Sequence, residues 1–339
     1  MKSHQATIKD IARLLNISSS TVSRALKDYP GISQETKDKV KKLAAELHYR
    51  PNAVALSLRK QRSMIIGVVI PEVVHFFFST IIGGIEEVAQ AHGYTVILCQ
   101  TNEKYEREKT ALQTLLSNQV DGLLVSYSKE TEDFAHFTAL QQEGVPLVFF
   151  DRIPPLSGIM GVTVNDYLGA RQATEHLIQQ GFKSIAHLSG PKNLSLSQER
   201  IRGYQDALRT HEQTYNRVIA CPQGTLEEAQ AITEQLLLEP DRPDAIFASN
   251  DLAAAGAMHA VLDKGLNVPK DFGVVGFSNW QFSRLIRPSL TTIEQHGKQI
   301  GTEAMNLLLR SMQKQPIDTP NLVLETSLIT RNSSKRTEK

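Results

Sequence analysis

TIKDIARLLNISSSTVSRALK, residues 7–27, reads as two short amphipathic helices around a tight polar turn. Ile8, Ile11, Ala12 and Leu15 recur at i, i+3, i+4 and i+7, which puts them on one helical face. Thr7 and Asp10 have the spacing of a capping box at the start of that helix. Asn16 interrupts the run, Ile17 re-enters the apolar side, and Ser18 is placed to cap a second helix that turns Val22 and Leu26 inward. The opposite face of this second helix offers Ser19, Ser20, Thr21, Ser23 and Arg24. Short hydroxyls and one long cation near an amino-terminal turn suit a helix that meets base edges in a DNA major groove.

The charge distribution points the same way. The chain has 37 basic and 36 acidic side chains, yet residues 1–62 hold 13 of the former against 5 of the latter. The remaining residues carry 24 against 31, so a basic head precedes an acidic body. A segregated positive head beside a helix-turn-helix pattern implies phosphate contacts.

Downstream, Ser33 is placed to cap a third helix with Val40, Leu43, Ala44 and Leu47 on its buried stripe, ending before Pro51. Residues 52–59 (NAVALSLR) are helix-compatible but too short to hold a helix alone in water. From residue 64 apolar runs alternate with amphipathic helical patterns. Strands are expected at 64–70, 94–98, 121–125, 147–150, 184–188, 217–220, 245–248 and 273–277. Helices are expected near 78–91, 104–118, 131–143, 166–180, 197–210, 225–238 and 251–264. This alternation predicts parallel sheets covered on both faces, in two similar doubly wound subdomains. A ligand cleft is then expected outside the carboxyl ends of the strands. A last helix at 297–312 and strands at 322–325 and 328–330 imply that the chain crosses between subdomains more than once. Residues 332–339 are polar and expected to be a disordered tail.

Cys99 and Cys221 lack Cys-x-x-Cys spacing and sit in apolar surroundings, as expected of small hydrophobes in a reducing compartment. The amino terminus has no apolar signal core and no stretch has the length of a membrane span, so a cytoplasmic protein without membrane contact is expected. Phosphate-loop, dinucleotide-binding and nucleophile-elbow motifs are absent, and the 10 histidines show no metal-ligand spacing. Neither a cofactor nor a metal is expected. An enzyme on a doubly wound fold is thereby disfavoured, and a stand-alone sugar-binding protein would have no use for residues 1–60.

The segments TIKDIARLLNISSSTVSRALKD, ISQETKDKV and ELHYRPNAVALSLR occur in order along the chain. They are followed by PEVVHFFFSTIIGGIEEVA, VDGLLVS, VFFDR, HLIQQGFKSIAHLSGP, ERIRGYQDAL, DAIFASNDLAAAGA, VVGFSNW and PSLTTI. In this order the chain resembles the lactose-repressor/galactose-repressor (LacI/GalR) family of bacterial transcription regulators from about residue 7 to residue 331. The resemblance implies a helix-turn-helix head (1–50), a hinge helix and linker (51–62) and a periplasmic-binding-protein-like core (63–331). Within that core, one subdomain takes about 63–162 and 292–321 and the other about 163–291 and 322–331. It also implies a homodimer on a pseudo-palindromic DNA operator, repression as the default action, and control by a small effector, a sugar or sugar derivative.

Residue roles implied by the resemblance follow the motifs. Ser19, Ser20 and Arg24 face the major groove. Arg24 either pairs a guanine bidentately, worth about 1–3 kcal/mol of discrimination, or touches phosphate alone. Thr7, Ser18, Thr21 and Ser23 cap helices or bind phosphate. In the hinge, Asn52, Ala55, Leu58 and Arg59 meet the minor groove, with Leu58 as the wedge at the central base step; a bland linker is the competing reading. In the cleft, Arg200 matches an effector-binding arginine whose fork suits a hydroxyl pair or an anion, against an exposed arginine in a first helical turn. Phe77 and Phe78 either stack on a ligand or fill the core. Asp151, Asn165 and Asp166 stand at strand-to-helix connections by the cleft, and Gln223 joins them on weaker grounds. Asp166 and Asp251 are alternatively helix caps, the favoured reading for Asp251. The family carries an acidic residue where Ser278 stands, so a neutral sugar is less secured and an anionic ligand more open. Trp280 offers either a stacking surface or a packing group.

Overall fold

The computed structural model describes residues 6–49 and 62–336. The hinge positions Asn52, Ala55, Leu58 and Arg59 lie outside the described residues. Two compact units divide the chain, one within residues 1–64 and one spanning 65–339.

The first unit contains α1 (Ile8–Leu14), α2 (Ser19–Leu26) and α3 (Gln34–Glu46). Each begins at an expected cap. Thr7 and Asp10 form the reciprocal capping box, and the Ser18 and Ser33 hydroxyls accept from the N–H groups of Thr21 and Thr36. Ile11, Ala12, Val22, Ala25, Val40 and Ala44 form the core of this unit, with Leu15, Ile17 and Leu26 packed around them. Asn16 takes a left-handed conformation (φ 51°), which lets the chain turn sharply between α1 and α2.

The second unit is built from two lobes. The first begins β1 (Ile65–Ile70), α4 (Phe76–Ala91), β2 (Thr95–Gln100) and α5 (Tyr105–Ser117). It continues with β3 (Gly122–Val125), α6 (Ala135–Gln142), β4 (Leu147–Phe150) and β5 (Met160–Val164). The second lobe takes α7 (Asp166–Gln179), β6 (Ile185–Ser189), α8 (Ser195–Thr210), β7 (Arg217–Ala220) and α9 (Leu226–Leu236). It is completed by β8 (Ala245–Ala248), α10 (Asp251–Asp263), β9 (Gly273–Phe277) and β10 (Thr291–Glu294). The chain then returns to the first lobe with α11 (Gly297–Met312) and β11 (Asn321–Leu324), and ends in the second with β12 (Ser327–Ile329). The sheet orders are β11-β5-β4-β3-β1-β2 and β12-β10-β9-β8-β6-β7. All pairs are parallel except β10 with β12.

Central strands such as β3, β4 and β8 are buried throughout, as continuous apolar runs covered on both faces require. Helices that cover these faces approach very closely where glycines meet. A Cβ on Gly84 of α4 would land on the Lys298 carbonyl oxygen of α11, and one on Gly301 of α11 would land on the Ile81 carbonyl oxygen of α4. The second lobe repeats the device with Gly203 against Tyr167 and Gly256 against Leu226.

Two expectations need correction, the disordered tail and the lobe boundaries. Residues 332–336 are not a disordered tail. Ser333 and Ser334 are fully buried, and the Ser333 hydroxyl donates to the Val274 carbonyl while accepting from the Thr291 N–H. Hydroxyl and backbone bonding holds this segment, which a search for apolar residues does not detect. The lobe boundaries also shift, because β5 and β11 belong wholly to the first sheet and β10 wholly to the second. The crossings therefore fall after Val164, after Glu294 and after Leu324, in place of about 162/163, 291/292 and 321/322.

Candidate functional site

On α2 the outward positions stand as the sequence suggested. Ser19, Ser20 and Arg24 are exposed, while Thr21 and Ser23 are half-buried. The Ser18 hydroxyl lies 2.7 Å from that of Ser20 and 2.9 Å from that of Thr21, so the capping group also orders the first turn. Thr7 is engaged with Asp10, its hydroxyl donating to the carboxylate at 2.7 Å. Arg24 lies 5.7 Å from the centre of the exposed Tyr29 ring, within reach of a cation–π contact.

The second site is a cavity of about 130 Å³ between the lobes. The carboxyl ends of β4, β8 and β9 deliver Asp151, Asn250 and Ser278 to it. Phe77 and Phe78 are buried in the first lobe's core and also line the cavity.

Asp151 is the outstanding acceptor. Its backbone is left-handed (φ 63°), its side chain is 9% exposed, and its nearest cation is Arg152 Nε at 3.7 Å. Burial raises its carboxyl to about 6, opposed by the neighbouring Arg152 charge. Arg152, which follows directly, donates to both Glu103 oxygens at 2.8 and 2.9 Å and to the Tyr127 carbonyl at 2.8 Å. Burial pushes the Glu103 carboxyl up, but the Arg152 charge and hydrogen bonds outweigh it and hold the group below its ordinary range.

Arg200 is not an exposed first-turn arginine. It is 6% exposed, donates to Asp166 and to the Ser249 carbonyl (2.7 Å), and lies 3.7 Å from the Phe277 ring centre. Its charge is therefore matched by Asp166, whose own carboxyl is raised by burial against the pull of Arg200. Asp166 and Asn165 face a separate depression and do not line the main cavity. Asn165 caps α7 by accepting from the Leu168 N–H.

Gln223 reaches across the lobes, accepting from Lys129 Nζ at 3.0 Å. Ser278 (φ 100°) donates its hydroxyl to Gln295, and Trp280 packs 5.1 Å from the His75 ring on the facing lobe. Asp251 is not the cap of α10; Asn250 is, accepting from the Ala253 N–H. Asp251 is fully buried, accepts from the Trp280 N–H and the Thr292 hydroxyl, and is raised to about 7 by burial.

Three buried polar atoms on the cavity wall have no hydrogen-bond partner among the described residues: Arg152 Nε, Ser197 Oγ and Trp280 Nε1. Asp151, whose carboxylate lies 3.7 Å from Arg152 Nε, lines the same wall. Buried polar groups are normally paired, so this wall is complementary to a compact polar molecule. Ser197, Arg152, Glu103 and Lys129 escaped sequence reasoning. Arg152 had a signal, as the residue beside Asp151 at a strand end; the others depend on which distant segments meet.

Residues 63–335 match the family described as periplasmic binding proteins and sugar binding domain of LacI family. Residues 7–52 match the bacterial regulatory proteins of the lacI family. The chain belongs to the LacI family. As a LacI-family member it is a DNA-binding transcriptional repressor rather than an enzyme. It is 36% identical over 97% of both chains to the ribose operon repressor of Halalkalibacterium halodurans. A lac repressor dimer bound to operator and the anti-inducer ONPF superposes with a TM-score of 0.87 at 29% identity, covering 98% of this chain and 99% of that one. A LacI family regulator from Enterococcus faecium with bound ribose gives 0.72 at 27% identity, covering 81% of this chain and all of the other. No helix among the described residues is long and apolar enough to cross a membrane.

Proposed function

We propose that this chain represses transcription in the cytoplasm as a homodimer on a pseudo-palindromic operator, and that a small sugar or sugar derivative between the lobes sets its grip. The observation that carries the sugar reading is a cavity of about 130 Å³ between the lobes whose wall includes the polar residues Asp151, Arg152, Ser197 and Trp280, the last three each with a buried polar atom that has no hydrogen-bond partner among the described residues. A polyol offers donors and acceptors on every side, so one compact molecule answers all four. Both cavity guanidinium groups are already matched by carboxylates, Arg152 by Glu103 and Arg200 by Asp166, which favours a neutral ligand over a phosphorylated one. The structures of related regulators with ribose and with ONPF support this reading.

In this scheme residues 1–50 form the DNA-binding domain, 51–62 the hinge, and the two lobes the sensor. Ser19, Ser20 and Arg24 read the major groove; Asn52, Ala55, Leu58 and Arg59 serve the minor groove. Phe77, Phe78, Asp151, Arg200, Gln223, Ser278 and Trp280 contact effector, with Asp166 setting the Arg200 fork. Ligand between the lobes favours one arrangement of them, and operator affinity changes by the factor by which operator changes ligand affinity.

The test is a thermal-shift screen of monosaccharides, sugar phosphates and nucleobases on the full-length chain. A ligand at one hundred times its Kd stabilises by about 2.7 kcal/mol. The hit is then titrated against operator DNA. A cavity ligand that leaves operator affinity unchanged would refute the scheme.

A further inference from the structure

The segment after β12 reaches back to the cavity wall through Arg331. Its Nη2 donates to Asn279 Oδ1 at 2.6 Å, and its Nη1 donates to the Leu290 carbonyl at 2.7 Å and the Ser283 hydroxyl at 3.0 Å. One guanidinium therefore ties both ends of the stretch that follows β9. Asn279 is held from its other sides as well: its N–H donates to the Thr292 hydroxyl at 3.2 Å and its Nδ2 to Glu294 at 2.6 Å. Ser278 and Asn279 are consecutive non-glycine residues in the left-handed region, at φ 100° and 48°. Such a conformation persists only where the surroundings over-determine it. The next residue is Trp280, whose indole lines the cavity and whose N–H is fixed by Asp251.

We propose that Arg331 is a positioning residue for the effector site: it holds the Ser278–Asn279 turn in its left-handed form and so sets Trp280 against the cavity. The inference rests on the effector reading of that cleft. An arginine is needed because a planar fork can serve three acceptors spread over Asn279, Ser283 and Leu290, whereas an ammonium is a point charge. The carboxyl-terminal segment thereby becomes part of the sensor.

Arg336 supplies the control. It belongs to the same segment but is anchored elsewhere, lying 3.8 Å from the Phe182 ring centre and donating to the Gly181 carbonyl. Trp280 is the chain's only tryptophan, so indole fluorescence reports from this turn alone. In the full-length chain without ligand, well below the melting point, Arg331→Gln is expected to shift emission to the red. It should also raise the acrylamide quenching constant at least twofold, with Arg331→Lys in between. Arg336→Ala should lower the melting temperature and leave the emission unchanged. Should Arg331→Gln fail to fold, Asn279→Ala removes the same bond from the other side and must give the red shift. Unchanged emission in Arg331→Gln, or in Asn279→Ala where that variant stands in, would overturn the proposal, as would an equal shift in Arg336→Ala. The measurement uses no ligand, so its failure is separable from failure of the sugar reading.

Discussion

Effector binding should be gated by the ionisation of Asp151. Only the ionised carboxylate accepts hydroxyl donors on both oxygens with full charge assistance, and burial raises its pKa to about 6. With that value about a tenth of the empty protein is ionised there at pH 5 and about nine-tenths at pH 7. If the charged form alone binds, ligand affinity rises roughly tenfold across this interval and levels off above pH 7. Asp151→Asn removes the charge while retaining one acceptor. Losing a charge-assisted hydrogen bond costs about 1.5–3 kcal/mol, or roughly 10- to 150-fold in affinity at pH 7. The variant should also bind with little dependence on pH. Isothermal titration of the best sugar from the screen, at half-unit steps from pH 5 to 8, measures both effects. A flat profile in the natural protein, or the same slope in Asp151→Asn, would refute the assignment of Asp151 as the charged acceptor.

Arg24→Ala should weaken operator binding and relax discrimination by about 1–3 kcal/mol at one base pair, read by competition between operator variants; equal loss on all sequences would restrict Arg24 to phosphate. Leu58→Ala should reduce specific binding while sparing non-specific binding in filter-binding assays, and parallel loss of both would end its assignment as a minor-groove wedge. Gly301→Ala places a methyl group on the Ile81 carbonyl and should cost about 1–3 kcal/mol of stability, seen as an earlier urea midpoint. Asp251 keeps a proton in the folded state up to about pH 7 that the unfolded chain releases near 3.8, so its stability contribution falls as pH rises and is fully lost above 7. Buried His187, lowered to about 4, acts oppositely between pH 4 and 6.5, which leaves about pH 6.5–7 as the window where Asp251→Asn should flatten the decline in melting temperature.

The alternation of strands and helices was legible because buried parallel strands leave continuous apolar runs. Leu147–Phe150, Arg217–Ala220, Ala245–Ala248 and Gly273–Phe277 could be delimited to the residue. Met160–Val164 and Thr291–Glu294 could not, since MGVTV and TTIE are short, rich in threonine or interrupted by glycine, and become strands by pairing with neighbours. At the cleft, Asp151 could be named as a residue at a strand-to-helix connection, whereas Arg200 and Trp280 could be named only through the family resemblance. The pairing of Arg200 with Asp166, and the isolation of Ser197 Oγ, depend on residues brought together from distant parts of the chain. Asp251 shows the same limit. Its position after Asn250 reads as a cap, and only the fold brings Trp280 and Thr292 to its oxygens.

The contact of Gly84 with the helix bearing Gly301 has a consequence for synthesis. The first lobe has all its early strands once Val164 is made, yet the helix that seals one face and the strand that closes one edge lie at 297–312 and 321–324. At roughly 5–20 residues per second, about 7–27 s pass on the ribosome before residue 297 follows residue 164. During that interval Phe78, Ile81 and Ile85 lack the helix that later buries them, and the nascent chain presents an oily face to whatever is nearby. Ribosome-bound fragments ending near residue 290 should therefore recruit holdase chaperones, and release should follow once the returning helix emerges.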